Sequence, residues 1–162
     1  MRSLSTKKGS EVITILANGR RQDRLPGFDM PKEYEVAWLT PPAVMSSLEE
    51  KFGKFDFDPS PFPRPQGFDG LIADWGINNY LNPPFKFGAK GIISWVRKAV
   101  AEQAKGNSTL LVWPVATYFD LLVQARAEMQ SLGVIEWMPS DGSNKKPMHW
   151  PIVAFYLRGG QR

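Results

Sequence analysis

The pattern of apolar and polar positions along the chain predicts alternating helices and strands. Apolar side chains recur at helical spacing, so that they form one face, in three segments: 41–52, 91–105 and 118–132. Short apolar or alternating runs bounded by glycine, proline or asparagine predict five strands: 55–58, 78–81, 108–115, 134–138 and 151–157. Helices that alternate with strands in this way indicate an α/β fold.

The first 33 residues differ from the rest of the chain and predict a basic N-terminal extension or arm. Basic side chains crowd it, among them Lys7, Lys8, Arg20, Arg21 and Arg24. Residues 11–17 are rich in Val, Ile and Thr and precede an Asn-Gly turn signal, so we expect a short strand or hairpin there. Proline and glycine make 25–31 a linker. We therefore expect one folded domain over residues 34–162.

Composition restricts the class of protein. An apolar content of 43% excludes a disordered chain, and no apolar run approaches the roughly 18–20 residues that span a bilayer. Without cysteine the chain forms no disulfide and no thiolate metal site, and its single histidine, His149, argues against a histidine metal site. The polar N-terminus lacks the apolar core of a signal peptide. We therefore expect a globular protein of the cytoplasm, without a membrane or a metal as partner.

The most informative motif is the tetrapeptide Asn82-Pro83-Pro84-Phe85, which follows the strand predicted at 78–81. Two prolines fix φ at both positions and remove two N–H donors, so the carbonyls of Asn82 and Pro83 are left as outward acceptors. Phe85 offers a flat ring face on which a base can stack. A stacked heterocycle that carries an exocyclic amino group fits such a cluster.

This tetrapeptide is a form of the (Asp/Asn/Ser)-Pro-Pro-(Tyr/Phe/Trp) signature of amino methyltransferases. It combines with earlier segments, namely Trp38-Leu39-Thr40-Pro41, Phe55-Asp56-Phe57-Asp58-Pro59, and Gly70-Leu71 with Trp75. Together they make residues 36–157 resemble the small phage-type DNA N6-adenine methyltransferases. The resemblance implies a compact Rossmann-like sheet, mostly parallel with an antiparallel C-terminal strand. It also implies S-adenosylmethionine as cofactor and a role in DNA methylation, as in bacteriophage or restriction-modification systems of the bacterial cytoplasm.

The resemblance assigns the chemistry to four residues: Asn82, Pro83, Pro84 and Phe85. The N6 lone pair of adenine is delocalised into the ring and must be localised before it can accept a methyl group. Hydrogen bonds from N6 to the side-chain oxygen of Asn82 and the backbone oxygen of Pro83 would do this, while Phe85 stacks the flipped base. An oxygen acceptor is what matters at the first position, so Asn is expected to serve as well as Asp.

The resemblance assigns the cofactor contacts to six residues: Trp38, Thr40, Pro41, Asp58, Pro59 and Asp74. Thr40 precedes a helix, whose N-terminus suits the carboxylate of S-adenosylmethionine. Asp58 ends a short strand, where a carboxylate accepts hydrogen bonds from a ribose or an amine. The residues alone equally allow Thr40 as an ordinary helix cap, Trp38 in the core and Asp58 as a cap of the next turn. The proline-rich segment after Asp58 also departs from the glycine-rich turn of the broader class.

The net charge of +4 favours a polyanionic partner, because lysine and arginine that neutralise phosphates release counterions. With the resemblance, it predicts double-stranded DNA as partner and five contacting side chains: Arg64, Lys86, Lys90, Lys145 and Lys146. A solvated basic surface explains these side chains about as well. A chain this small could need a second copy to cover a duplex site, so a homodimer is one expectation. The sequence leaves the oligomeric state open.

Three other functions stay open at this level. A protein glutamine or an RNA base presents the same lone-pair problem, so either is an alternative methyl acceptor for the same tetrapeptide. A DNA-binding module without activity is the second alternative, because the glycine-rich cofactor turn is missing. The third is that Asn82-Pro83-Pro84-Phe85 forms only a rigid turn.

Overall fold

The structure is a computed structural model and describes residues 37–84, 91–114, 119–144, 146 and 149–160. Within these ranges the chain forms three helices: α1 (Pro42–Phe52), α2 (Ile92–Lys105) and α3 (Phe119–Gln124). It forms six strands in the same ranges: β1 (Trp38–Leu39), β2 (Asn78–Leu81), β3 (Ser108–Pro114), β4 (Glu128–Val134), β5 (Met138–Pro139) and β6 (Pro151–Leu157). Some predictions lie outside the described residues, namely the arm over 1–33 and the site residues Phe85, Lys86, Lys90 and Lys145.

Four strands form a mixed sheet in the order β2-β3-β6-β4. β2 and β3 are parallel, while β6 runs antiparallel to both of its neighbours, β3 and β4. Three strands therefore point one way and the C-terminal strand points the other way. The predicted α/β class and the antiparallel C-terminal strand are confirmed. The expected mostly parallel pairing is not, because β2–β3 is the one parallel pair among the three pairs of this sheet. We call the edge at which β2 and β3 end the carboxyl edge, and the edge at which they begin the amino edge.

The segment predicted as a strand at 55–58 lies along the outer side of β2, with a single bridge between Phe57 and Asn79. Its backbone makes two flanking hydrogen bonds of 2.9 Å, from Asp56 N to the Asn78 carbonyl and from Tyr80 N to the Phe57 carbonyl. The bridge is parallel, so the segment points the same way as β2. Pro59 follows immediately and has no N–H to extend the ladder, which explains why the pairing is so short.

Helices cover both faces of the sheet. Because successive strand residues face opposite sides, Leu110 and Val112 of β3 pack with α1 while Leu111 packs with α2 and α3. The α1 face buries Leu48, Phe52, Tyr80, Ile152 and Tyr156, and the α2 face buries Trp75, Leu81, Trp95, Leu122 and Phe155. The sheet is thus held between two apolar layers, and its polar side chains concentrate at its two edges.

The prediction of a helix over 118–132 is wrong for the residues after Gln124. α3 ends at Gln124, Arg126 takes a positive φ of 56°, and Glu128–Val134 forms β4. The residues of β4 have no strong strand preference. β4 is the outermost strand of the sheet, and its pairing with β6 decides its conformation. The strand predicted over 134–138 is also wrong, because Val134 ends β4 and Met138 begins the separate strand β5.

One reading of the sequence predicted that Thr40 caps α1, and this reading is wrong. The N-cap of α1 is Pro41, and no side chain bonds the first turn of the helix. The Thr40 hydroxyl instead forms a hydrogen bond with the Tyr80 hydroxyl on β2. This contact ties the segment before α1 to the sheet.

No helix among the described residues is both long and apolar enough to cross a bilayer. The same part of the chain contains no group of three or more acidic, histidine or cysteine side chains that would hold a metal ion.

Candidate functional site

Side chains from three separate segments meet at the carboxyl edge of the sheet. Asn82 follows the last residue of β2, and Asp58 follows Phe57 on the neighbouring segment, so both stand where parallel chains end. The backbone carbonyl of Trp38 bonds Asn82 and the Thr40 side chain bonds Tyr80, while the Trp38 ring packs against the core on the α1 side. Segments that are far apart in the sequence are therefore combined into one site.

The side-chain amide of Asn82 has a fixed orientation. Its Nδ2 donates to the Trp38 carbonyl at 2.8 Å. A carbonyl only accepts, so hydrogen-bond chemistry requires the nitrogen on that side and the oxygen on the other. Oδ1 of Asn82 is buried and has no hydrogen-bond partner among the described residues. The result is a buried, oriented acceptor without a donor.

A buried acceptor without a partner is unusual, because burial removes water and typically lowers stability by about 1–3 kcal/mol when no hydrogen bond replaces it. The next two residues, Pro83 and Pro84, add no N–H donor that could turn back to satisfy it. Pro83 is buried and Pro84 is half-buried. The strand end is thus rich in acceptors and poor in donors, which suits a ligand that brings N–H groups.

The strand pair β1–β5 holds the carbonyl that orients Asn82. Trp38 pairs with Pro139 and Leu39 with Met138 in an antiparallel register. Two further hydrogen bonds close the pair next to Trp38. Ala37 N donates to Ser140 Oγ at 3.1 Å, and Ser140 N donates to the Ala37 carbonyl at 2.9 Å. The position of the Trp38 carbonyl therefore depends on the turn at Ser140.

Tyr80 is the buried centre of the site, on β2 directly below Asn82. Burial raises the pKa of its hydroxyl well above the ordinary value, the Thr40 hydrogen bond acts in the opposite direction, and the charge of Asp58 raises the pKa further. Tyr80 therefore stays neutral at physiological pH. The bridge between Phe57 and Asn79 also puts Asp58 level with Tyr80 on the neighbouring segment.

Asp58 has one oxygen engaged and one available. Its Oδ1 accepts a hydrogen bond from Ser60 N at 2.8 Å, so the side chain does cap the following turn, which was one of the two sequence interpretations. The surrounding protein desolvates the carboxyl group and raises its pKa, and the Ser60 hydrogen bond partly offsets this. The residue is nevertheless exposed at the surface of the site. Its second oxygen has no hydrogen-bond partner among the described residues and is able to accept one from a ligand.

The structure does not bring Asp74 to this group. Asp74 lies four residues before the start of β2, at the amino edge. The pKa of Lys105 at the end of α2 is raised mainly by its hydrogen bond to Glu102, and the charge of Asp74 adds a smaller contribution. Trp75 beside it is buried and donates from Nε1 to the Gly70 carbonyl at 2.6 Å. Trp75 is therefore a core residue, the reading the sequence favoured, and Asp74 is separated from Asp58 and Asn82.

The remaining predicted residues occupy the surroundings of the site. Pro41 is the N-cap of α1, and Pro59 is buried against Gly70, where an added Cβ would lie 1.7 Å from the Pro59 carbonyl oxygen. That close contact explains why glycine stands at position 70. Arg64 and Lys146 are exposed on loops.

Two residues of the site were missed by the sequence analysis. Tyr80 is an apolar position in a strand pattern, and nothing in the pattern indicates that its hydroxyl meets Thr40. Ser140 follows a proline in a loop, and its contact with Ala37 spans 103 positions of the chain. No local signal reports such a contact, because it depends on how β1 and β5 pair.

The sequence matches no protein-family model and no curated protein.

Proposed function

We propose that this protein is an S-adenosylmethionine-dependent DNA adenine N6-methyltransferase that acts on a flipped base. One observation carries the proposal: Oδ1 of Asn82 is a buried acceptor that has no partner among the described residues, and the Trp38 carbonyl fixes its orientation. An exocyclic amino group has the two N–H donors that such an acceptor and a neighbouring backbone carbonyl require. The Asn-Pro-Pro-Phe resemblance names the same residue for the same purpose.

The fold supports the cofactor part of the proposal. Ligands of open α/β sheets bind beyond the carboxyl ends of parallel strands, and Asp58 and Asn82 end adjacent parallel segments. A parallel pair joined by α2, together with antiparallel pairing of the last two long strands, also fits a trimmed Rossmann-like sheet. That finer fold assignment is part of the proposal.

The chain's own groups fit S-adenosylmethionine at both of its polar ends. The second oxygen of Asp58 suits a ribose hydroxyl or the ammonium group. The first turn of α1 follows β1 and has no side-chain cap, so its free N–H groups suit the carboxylate. When bound, the cofactor supplies a methyl group on a positively charged sulfur. Asp74 is left out of the proposed contacts because it lies at the amino edge.

The chain's residues then prepare the acceptor nitrogen. Asn82 Oδ1 accepts one N–H of adenine N6 and the Pro83 carbonyl accepts the other, which draws the lone pair out of the ring. That lone pair forms the new N–C bond as the methyl–sulfur bond breaks, and N6 afterwards loses a proton to water. No basic side chain is needed for that loss. The neutral amide of Asn82 keeps the pocket uncharged, and Phe85 is assigned to stack the base.

DNA is the proposed acceptor because of the charge of the chain and its surface. The net charge is +4, and Arg64 and Lys146 are exposed without an ion pair among the described residues. Such side chains gain affinity for phosphates by releasing counterions.

The test is transfer of tritium from labelled S-adenosylmethionine to unmethylated duplex DNA, followed by nucleoside analysis. The expected product is N6-methyladenine. Asn82→Ala should lower the rate by about 10²–10³-fold, the usual effect of removing one oriented polar group from an active site. Its affinity for S-adenosylmethionine, measured by calorimetry, should stay close to that of the wild type.

The matched control is Gln124→Ala, which removes an exposed amide from the end of α3 and should transfer methyl groups at the wild-type rate. Label in another nucleoside or none in DNA, with the cofactor bound, would overturn the adenine assignment. Absence of cofactor binding in the wild type would overturn the methyltransferase assignment itself.

A further inference from the structure

An exposed tryptophan, Trp150, lies beyond the carboxyl edge. It is one of nine large apolar side chains that are exposed among the described residues. Half of its surface, 51%, is exposed, and it is the one tryptophan among those nine side chains. An exposed indole ring is a flat apolar surface on which a base can stack.

The strand register gives the position of Trp150 relative to the proposed site. Asn82 lies level with Val112 on β3 and with Ala154 on β6. Trp150 comes four residues before Ala154, on the carboxyl side, so its backbone lies about 13 Å beyond Asn82 along the strands and about 10 Å to the side. Trp150 is therefore an exposed residue beside the site and does not belong to the group around Asn82.

The loop that carries Trp150 is also basic and is tied to Asn82. Lys146 and His149 are exposed on the same loop. The loop starts at Ser140, whose contacts with Ala37 hold the β1 segment that orients the Asn82 amide. Aromatic rings next to positive charges are the usual means of binding bases and phosphates together.

We propose that Trp150 is the side chain that enters the base stack of duplex DNA and fills the place of the expelled adenine. Lys146 and His149 contact the neighbouring phosphates. This inference rests on the proposed function and adds the residue that lets the enzyme work on a duplex. Unstacking a base from a duplex requires free energy, and an inserted apolar side chain compensates part of it. In a single strand no base has to be expelled from a duplex. Loss of the Trp150 ring should therefore lower kcat/KM for duplex DNA more than kcat/KM for single-stranded DNA.

The experiment compares kcat/KM for native unmethylated DNA with kcat/KM for the same DNA after heat denaturation. Trp150→Ala should lower the ratio of duplex to single-strand kcat/KM by about tenfold or more, in line with the loss of one stacked ring. Trp150→Phe keeps an aromatic ring and should restore most of the ratio. The matched control is Ile77→Ala, which removes an exposed apolar side chain at the amino edge and should keep the wild-type ratio.

Three outcomes would overturn the inference. Equal losses of kcat/KM on both substrates would make Trp150 a general binding residue, and wild-type kcat/KM on both substrates would remove it from DNA binding. A change of oligomeric state in Trp150→Ala, measured by sedimentation, would assign the exposed ring to contact with a second copy of the chain. If the wild type methylates neither form of DNA, the proposed function fails as well, whereas in the other outcomes it stands.

Discussion

Two asparagines on β2, Asn78 and Asn82, show how differently the two edges of the sheet are built. Asn78 at the amino edge uses both ends of its amide. Its Nδ2 donates to the carbonyls of Phe52 and Lys54 at 3.2 and 3.0 Å, and its Oδ1 accepts from the Tyr156 hydroxyl at 3.3 Å. Within the described part of the chain, Asn82 at the carboxyl edge has a partner for its nitrogen and none for its oxygen.

The same contrast extends to the charged groups. At the amino edge, Asp56 accepts from the backbone N–H groups of Ile77 and Asn78, and Glu102 accepts from Lys98, Lys105 and Asn107. At the carboxyl edge, Asp58 uses one oxygen for Ser60 and leaves the other available. Saturated polar groups stabilise a fold, whereas unsaturated ones are ready to bind. The amino side is not fully saturated, because Asn79 Oδ1 and Thr109 Oγ1 are also buried without a partner among the described residues. The carboxyl edge differs in that its unsaturated groups, on Asn82 and Asp58, follow the ends of parallel segments, where a ligand is expected.

The largest effect is expected from Asn82→Asp. Trp38 presents a carbonyl to this position, and an ionised carboxylate cannot donate to it, so the rate of transfer at pH 8 should fall about 100-fold or more. The carbonyl and the burial together raise the pKa of the introduced carboxyl group, so its protonated fraction grows as the pH falls. A protonated group can donate to Trp38 and accept with its other oxygen.

Methyl transfer by Asn82→Asp should therefore recover, relative to wild type, between pH 8 and pH 6. Kinetics over that range would measure the recovery. Wild-type activity of the variant at pH 8 would show that the Trp38 contact does not constrain this position, and Asn would then be only one of two equivalent choices.

The next effect concerns Glu102, whose side chain is 1% exposed. Burial by itself raises its pKa, but the hydrogen bonds from Lys105, Lys98 and Asn107 outweigh burial and lower the pKa to about 2. Because the folded-state pKa is depressed below the ordinary 4.5, the stabilisation is complete above pH 4.5 and is lost as the pH falls towards 2. It amounts to about 3 kcal/mol at neutral pH.

Glu102→Gln should remove that pH dependence and lower the free energy of unfolding at pH 7. Urea unfolding at pH 7, 4 and 2.5 would measure both changes. A variant that keeps the wild-type slope of stability between pH 4.5 and 2.5 would place the acid sensitivity elsewhere in the chain.

Asn78→Ala should have an intermediate effect. It should lower the stability of the fold, whereas substitution of Asn82 should lower the rate of methyl transfer. The Asn78 amide donates to the Phe52 carbonyl at the end of α1 and to the Lys54 carbonyl just after it, and loss of these hydrogen bonds should lower the free energy of unfolding by about 2 kcal/mol. Methyl transfer per folded molecule at 15 °C should change much less than stability. Loss of transfer without loss of stability would contradict the division between the two edges.

The smallest effect is expected from Tyr80→Phe. It removes the hydroxyl that bonds Thr40 but keeps the buried ring, so unfolding should require about 1 kcal/mol less free energy. Denaturant melts of this variant and of Thr40→Val should give similar losses, and the double variant should lose little more than either. Additive losses would show that the two hydroxyls act independently.

Local patterns predicted the regular elements that are stable in their own right. The helix predicted at 91–105 is observed at Ile92–Lys105, and the strand predicted at 151–157 is observed over those residues. Both are strongly apolar on the buried side and end at turn residues, so periodicity decides them. β4 was missed because it is an edge strand with exposed side chains, and only its neighbour β6 fixes its conformation.

The sequence by itself determined that a rigid Asn-Pro-Pro segment without N–H donors follows a strand, because proline chemistry is local. It did not determine which end of the Asn82 amide is free. That depends on a carbonyl 44 positions earlier, which the β1–β5 pair holds in place. Only the tertiary structure decided that Asp58 joins Asn82 while Asp74 does not, since chain direction in the sheet sets which strand ends share an edge.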